Sequence, residues 1–187
     1  MVSIPVDTDI LLRSFLPDDA DHLFNVVNES RTHLAPWLAW VHNTTNPTHS
    51  KQFIETSIHK AEMQEELVLG IFCNDQIIGC LGMHNWDRTT RRAQIGYWLS
   101  KEYVGKGIIN NSLSLFIDFL FSKLELNKLE IHFAAANQKS ARVAENAGFR
   151  IEGIIRKATF RNGMADDLVM TGLLREEWNN YKKNKEA

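Results

Sequence analysis

Trp98-Leu-Ser-Lys-Glu-Tyr-Val-Gly-Lys-Gly-Ile-Ile-Asn-Asn-Ser112 runs from an apolar strand end into the start of a helix. The residues before it, Gln94 to Leu99, read as a strand. After it, Leu113, Phe116, Ile117, Leu120 and Leu124 recur every three or four positions and mark one stripe of an amphipathic helix that starts near Ile109. Gly105 and Gly107 sit at the junction, where they let the backbone approach a ligand closely. The N–H groups of the first helical turn, with the helix dipole behind them, suit a phosphate or pyrophosphate. The bland alternative is a tight turn that needs glycine only for its backbone. A P-loop does not fit, because Ser100 stands where its first glycine belongs and Gly107 where its hydroxyl belongs. A dinucleotide fingerprint fails at Asn110, where glycine or alanine is required.

On the N-terminal side, Ile10 to Phe15 reads as a short strand, and Pro17 opens a helix with Asp18, Asp19 and Asp21 in its first turn. A tryptophan-rich segment, Arg31-Thr-His-Leu-Ala-Pro-Trp-Leu-Ala-Trp-Val41, precedes a second helix over Thr48 to Gln64. Leu67 to Cys73 and Ile77 to Met83 form a hairpin across Asn74-Asp75. On the C-terminal side, Leu129 to Ala135 is a strand and Gln138 to Ala147 a helix ended by Gly148. Phe149 to Phe160 and Leu168 to Leu174 make a final hairpin turning at Asn162-Gly163. Beyond Trp178, the tail with Lys182, Lys183, Lys185 and Glu186 reads as solvated or frayed. The expectation is a single α/β (α+β) domain over residues 1–187, a mixed, mostly antiparallel sheet flanked by helices.

Composition narrows the function. The chain has 187 residues, a formal net charge of -2 and basic residues spread along its length, so nucleic acid is not an expected partner. No apolar stretch has the length of a membrane span and the N-terminus carries no signal pattern, so a cytoplasmic location without membrane attachment is expected. Cys73 and Cys80 fall on adjacent strands and read as reduced, buried thiols. His33, His42 and His49 lack ligand spacing, so no metal is expected.

Four segments in order then carry a resemblance: Gln94-Ile-Gly-Tyr-Trp-Leu99, Val104-Gly-Lys-Gly-Ile-Ile109, Asn137-Gln-Lys-Ser140 and Glu145-Asn-Ala-Gly-Phe149. Together they resemble the GNAT superfamily of acyl-CoA-dependent N-acetyltransferases. The resemblance implies a GNAT-like sheet whose splayed strand pair holds acyl-CoA, with acetyl-CoA as cosubstrate. It places the CoA pyrophosphate on the loop of Val104, Gly105, Lys106, Gly107, Ile108, Ile109 and Asn110, and the pantetheine arm against backbone groups of Trp98 and Leu99. In the family's loop pattern, Val104 replaces a Gln or Arg and Ile109 a small residue, while Gly107 keeps the central glycine. A role carried by backbone N–H groups survives both changes. Further matches at Arg31, His33, Leu34, Trp37, Glu152, Gly153, Arg156, Lys157, Asp167, Val169 and Met170 resemble the ribosomal-protein N-terminal acetyltransferases. The expected acceptor is therefore a protein N-terminus, that of a ribosomal protein included.

For catalysis, the resemblance calls for a proton donor to the departing thiolate on the helix after the second junction. Its usual tyrosine position is Ala144 here, which leaves Ser140 as the candidate, with Asn137 orienting the pantetheine or the thiol. As a plain structural alternative, Asn137 is the helix N-cap and Ser140 a first-turn residue. Where many relatives carry a glutamate base, this chain has Gln94, and another acidic position of the branch is Thr159. His84 is a substitute base acting through water, or a structural histidine. Trp37 and Trp40 are read either as walls of the acceptor groove or as core. Two rival functions remain open: acetylation of a small amine such as a polyamine or an aminoglycoside, and a non-catalytic acyl-CoA-binding module. Strand edges in the final hairpin make a homodimer an expected assembly.

Overall fold

The computed structural model describes residues 1–186, with side chains through Lys183. Eight strands, β1 (Ser3–Pro5), β2 (Ile10–Ser14), β3 (Leu67–Cys73), β4 (Gln76–Asp87), β5 (Arg92–Leu99), β6 (Lys128–Ala134), β7 (Arg150–Arg161) and β8 (Met164–Leu174), form one sheet in the order β1-β2-β3-β4-β5-β6-β8-β7. The helices are α1 (Ala20–Glu29), α2 (Arg31–Leu34), α3 (Pro47–Glu62), α4 (Ile108–Lys123), α5 (Gln138–Asn146) and α6 (Arg175–Glu186). The pairs β1–β2, β2–β3, β3–β4, β6–β8 and β7–β8 are antiparallel, and β5–β6 is parallel. This is the mixed, mostly antiparallel α/β sheet flanked by helices that the sequence leads one to expect. Contacts divide the chain into two compact units, Met1–Met83 with Tyr97–Ser112, and His84–Gly96 with the chain from Leu113 on.

In the first unit, the β3–β4 hairpin turns on Asn74 (φ 47°) and Asp75 (φ 64°), the left-handed pair of a type I′ turn. Leu23 and Val27 of α1, Ile54 of α3, and Phe72, Ile77 and Cys80 of the hairpin form a buried cluster with Phe15, Leu34 and Val41. Asn46 caps α3 by accepting from the Thr48 N–H at 2.9 Å, and Pro47 takes the first helical position, where its missing N–H costs nothing. Arg13 grips both oxygens of Asp19, at 2.8 and 2.9 Å, with its guanidinium 3.7 Å from the Phe72 ring centroid. Burial alone would raise the Asp19 carboxyl, but Arg13 and the Leu16 N–H outweigh it and hold the group below its ordinary value.

In the second unit, Leu129, Ile131 and Phe133 alternate along β6 and are buried, as are Phe116, Ile117 and Leu120 of α4. Gly148 ends the α5 segment at φ 84°, and Asn162 (φ 50°) with Gly163 (φ 77°) turns the final hairpin. The branch residues of that hairpin have structural duties. Glu152 reaches Lys128 at 2.6 Å, and the Lys157 N–H donates to Asp167 Oδ1 at 2.9 Å, closing a bulge where Lys157 itself has φ 53°.

Three elements differ from the sequence reading. Strand β4 continues through His84–Asp87, past the expected end at Met83, and Asn85 at φ 52° interrupts the alternation that would have revealed it. The three-residue strand β1 is too short to show a period. The tail after Trp178 is not frayed: Trp178 is buried, its Nε1–H donates to Asp118 at 2.7 Å, Lys182 reaches the same carboxylate at 2.9 Å, and the Tyr181 hydroxyl donates to the Asn146 carbonyl at 2.8 Å. These partners lie 35 to 64 residues away, so a charged tail becomes a docked helix through contacts that no local pattern contains. The expectation for Lys185 and Glu186 lies outside the described side chains.

Candidate active site

The glycine loop sits between β5 and α4. Gly105 (φ 85°) and Gly107 (φ 78°) both occupy the left-handed region, and a Cβ added to either would meet nothing within 4 Å. The loop therefore needs glycine for its backbone and faces open space on the side from which a side chain would project. The Asn111 N–H donates to the Gly107 carbonyl, so helical pairing begins there. The N–H groups of an α-helix's first turn have no partner within the helix, which suits the start of α4 to an anion. Lys106 Nζ lies 4.7 Å from the Tyr103 ring centroid, an exposed cation beside that opening. Burial, and then the neighbouring Cys73 thiol, raise the Tyr103 hydroxyl above its usual value, so it stays protonated at neutral pH.

A second feature of the same unit is a cavity of about 500 Å³. Its walls are Leu23 and Val27 of α1, Phe53 of α3, Trp40 and Trp98, and its polar lining is Asn43, Thr44, His49 and Ser50. None of these residues is a carboxylate. Trp40 and Trp98 touch, with ring centroids 6.2 Å apart and planes tilted by 55°. The loop bearing Trp40 is anchored by Arg31, whose guanidinium donates to the carbonyls of Val41 and Thr44 and to Asn28 Oδ1. Thus the arginine of the tryptophan-rich segment shapes the cavity without lining it. Trp37 is 37% exposed and lies outside the cavity wall. The sequence assigned only backbone duties to Trp98 and did not single out Phe53, Ser50 or Leu23 for this site; their segments come together only in the fold.

In the second unit, Asn137 caps α5: its Oδ1 accepts from the backbone N–H of Ser140 at 3.1 Å. The cap uses the Ser140 backbone, so the hydroxyl is not what closes it. Ala144 is 1% exposed, and its carbonyl accepts from the Phe149 N–H. His84 is half-buried on β4, and its ring lies 3.2 Å from where a Gly96 Cβ would stand, so Gly96 makes room for it. Gln94 Oε1 accepts from Asn85 Nδ2 at 3.0 Å and stands opposite Glu130 in the β5–β6 register. The carboxylate absent at Gln94 is thus present one strand away. It is no free base, because Glu130 is buried with Arg92 at 3.3 Å and Lys128 at 3.4 Å, and His132 Nε2 at 3.2 Å. Among the described residues no cluster of His, Cys, Asp or Glu is arranged to hold a metal ion, and no helix is long and apolar enough to cross a membrane.

Comparison with known proteins identifies the family. Residues 9–150 match the family model of the acetyltransferase (GNAT) domain. YdaF of Bacillus subtilis (strain 168), provisionally named a ribosomal N-acetyltransferase, is 34% identical over 97% of this chain and 100% of its own length. The ribosomal-protein-serine acetyltransferase of Escherichia coli (strain K12) is 25% identical over 89% of this chain and 93% of its own. The solved structure of RimL, a ribosomal L7/L12 alpha-N-protein acetyltransferase in complex with coenzyme A, has a TM-score of 0.89 at 25% identity, covering 92% of this chain and 98% of that one. The chain belongs to the GNAT acetyltransferase family, in its ribosomal-protein acetyltransferase branch, and is an acetyl-CoA-dependent N-acetyltransferase.

Proposed function

We propose that the acceptor is the free N-terminal α-amino group of a protein, with a ribosomal protein as the first candidate. The observation that carries this reading is the cavity lining, in which no described residue is a carboxylate; the family resemblance separately puts Gln94 where many relatives carry a glutamate base. An α-amine with pKa near ~7.7–8.0 is already roughly a quarter to a third neutral at pH ~7.4, whereas a lysine near ~10.4 is neutral about once in a thousand. A site without a strong base suits the α-amine. A polyamine would call for acidic walls, which the cavity lacks. The names of YdaF, of the E. coli enzyme and of RimL agree with a ribosomal acceptor, and such an acceptor implies a cytoplasmic reaction.

The bound cosubstrate would supply an acetyl thioester. In this proposal the backbone of Val104, Gly105, Lys106, Gly107, Ile108, Ile109 and Asn110 holds its pyrophosphate, and the open space outside both glycines fits that role. Trp98 and Leu99 offer backbone groups to the pantetheine arm and the thioester oxygen. Asn137 orients the arm, and the Ser140 hydroxyl donates a proton to the sulfur as it leaves. His84 takes the amine's proton through water. Trp40 forms one wall of the acceptor groove and Trp37 its outer rim. A homodimer would form on β7, the outer strand of the sheet, which leaves Ile151, Ile154 and Phe160 exposed.

CoA release should be measured on two peptides of the same sequence, one with a free N-terminus and one blocked there but bearing an internal lysine. Turnover is expected on the first alone. Preferential lysine acetylation at neutral pH would refute the α-amine reading.

A further inference from the structure

We infer that the acceptor carries its amine beside a bulky apolar side chain, aromatic side chains being preferred, and that the cavity walled by Trp40, Trp98 and Phe53 is the subsite for that side chain. The inference rests on the α-amine reading above and adds the class of the residue that bears the amine.

The first ground is size. A volume of about 500 Å³ falls within the range of ~300–1,000 Å³ that encloses ligands far larger than a methyl or hydroxymethyl group. An alanine or serine side chain would leave most of it to water. The second ground is chemistry. Leu23 and Val27, 3% and 2% exposed, close the floor, and the walls are aromatic. No Lys, Arg, Asp or Glu lines the space, so a charged side chain would give up its hydration there for the few polar groups of Asn43, Thr44, His49 and Ser50, with no carboxylate, ammonium or guanidinium to pair with.

The third ground is the state of the walls. Trp40 and Phe53 are 40% and 43% exposed, and Arg31 fixes the loop that keeps Trp40 open to solvent. Large apolar surface held in water by a built anchor favours an apolar occupant, since each Å² removed from water contributes roughly 25 cal/mol. Because Trp40 and Trp98 already touch each other, an incoming ring would lie across their joint surface instead of between them. The location also fits. Trp98 places its indole in the cavity while its own backbone belongs to the end of β5 that leads into the glycine loop.

Peptides differing only in their first residue (Ser, Ala, Leu, Phe, Trp) test the proposal by CoA release, with phenylalanine amide and tryptophan amide as a second arm. The expected result is a kcat/KM for Phe, Trp and Leu peptides at least about tenfold above Ser and Ala, the scale of discrimination a hydrophobic pocket supplies. In Phe53→Ala and Trp40→Ala the ratio of Phe to Ser peptide should fall toward one. If both variants fail to fold by circular dichroism, quenching of wild-type tryptophan fluorescence by N-acetylated product peptides provides the readout, and it should be stronger for Phe than for Ser. Turnover of the amino-acid amides as fast as of the peptides assigns the subsite to small amino-acid-like acceptors, and slower turnover assigns it to peptides. Either keeps the apolar class. CoA release on free α-amines with Ser or Ala equal to or above Phe would overturn the subsite but leave the α-amine reading intact. Release only on lysine or polyamine acceptors would overturn the α-amine reading and this inference with it.

Discussion

Arg31 donates to the Thr44 carbonyl across thirteen residues, and that bond, with those to Val41 and Asn28, sets where Trp40 stands against Trp98. The Arg31→Met variant keeps the apolar stem and removes every donor. Hydrogen bonds involving a charged group contribute about 1.5–3 kcal/mol each; here two are part-buried and the one to Asn28 is exposed, so the melting temperature should fall by less than their sum implies. With the wall loosened, KM for the acceptor should rise more than kcat falls. Thermal melts and steady-state kinetics on one preparation check this, and an unchanged acceptor KM would separate Arg31 from the cavity.

At Gly107 the backbone angle of +78° makes any L side chain strained, so a substitution there affects folding as well as any ligand. Strain of this kind costs roughly 1–2 kcal/mol. Gly163, at +77° in the turn between β7 and β8 and likewise open around its Cβ position, is a strain-matched control outside the loop. Gly107→Ala and Gly163→Ala should lower the melting temperature by similar amounts. Only the first should weaken CoA binding by calorimetry. Equal CoA affinities in the two variants would remove the loop from the cofactor site.

Ser140 and Asn137 separate in the same way. The cap of α5 runs from the Asn137 side chain to the Ser140 backbone, so Ser140→Ala keeps it and Asn137→Ala loses it. Asn137→Ala should therefore cost about 1 kcal/mol of stability. In Ser140→Ala this cap remains and kcat should fall, with little change in KM for acetyl-CoA. General acids are commonly worth about 10²–10⁴-fold, and a serine hydroxyl belongs at the low end. A wild-type kcat in Ser140→Ala would end its assignment as proton donor.

The readable parts of the fold were those in which a few neighbouring residues decide a backbone shape. Asn74-Asp75, Gly148 and Asn162-Gly163 each require a positive φ, and each stands at the turn or helix end that its residue type announces. The stripe of α4 and the alternation of β6 are equally local. Strand β1 and helix α6 were not readable, because one has no period and the other depends on Asp118 for its anchor. The same division holds for the site. The glycine loop is contiguous and shows itself, while the cavity draws Leu23, Trp40, Phe53 and Trp98 from four separate stretches. Glu130 was silent for a related reason: only the pairing of β5 with β6 sets it opposite Gln94 and under Arg92.

Cys80 lies within the buried cluster of the first unit, where burial pushes its thiol up to about 12. The thiolate is the reactive form of cysteine, so at neutral pH this sulfur is hidden from alkylating and disulfide reagents for as long as the surrounding apolar packing is closed. Released CoA is itself a thiol, and reagents that count it in the assays above will not count Cys80 of the folded enzyme. The same silence makes Cys80 an internal clock: the rate at which it becomes labelled, resolved from the half-buried Cys73, reports how often that part of the molecule opens, with no residue introduced for the purpose.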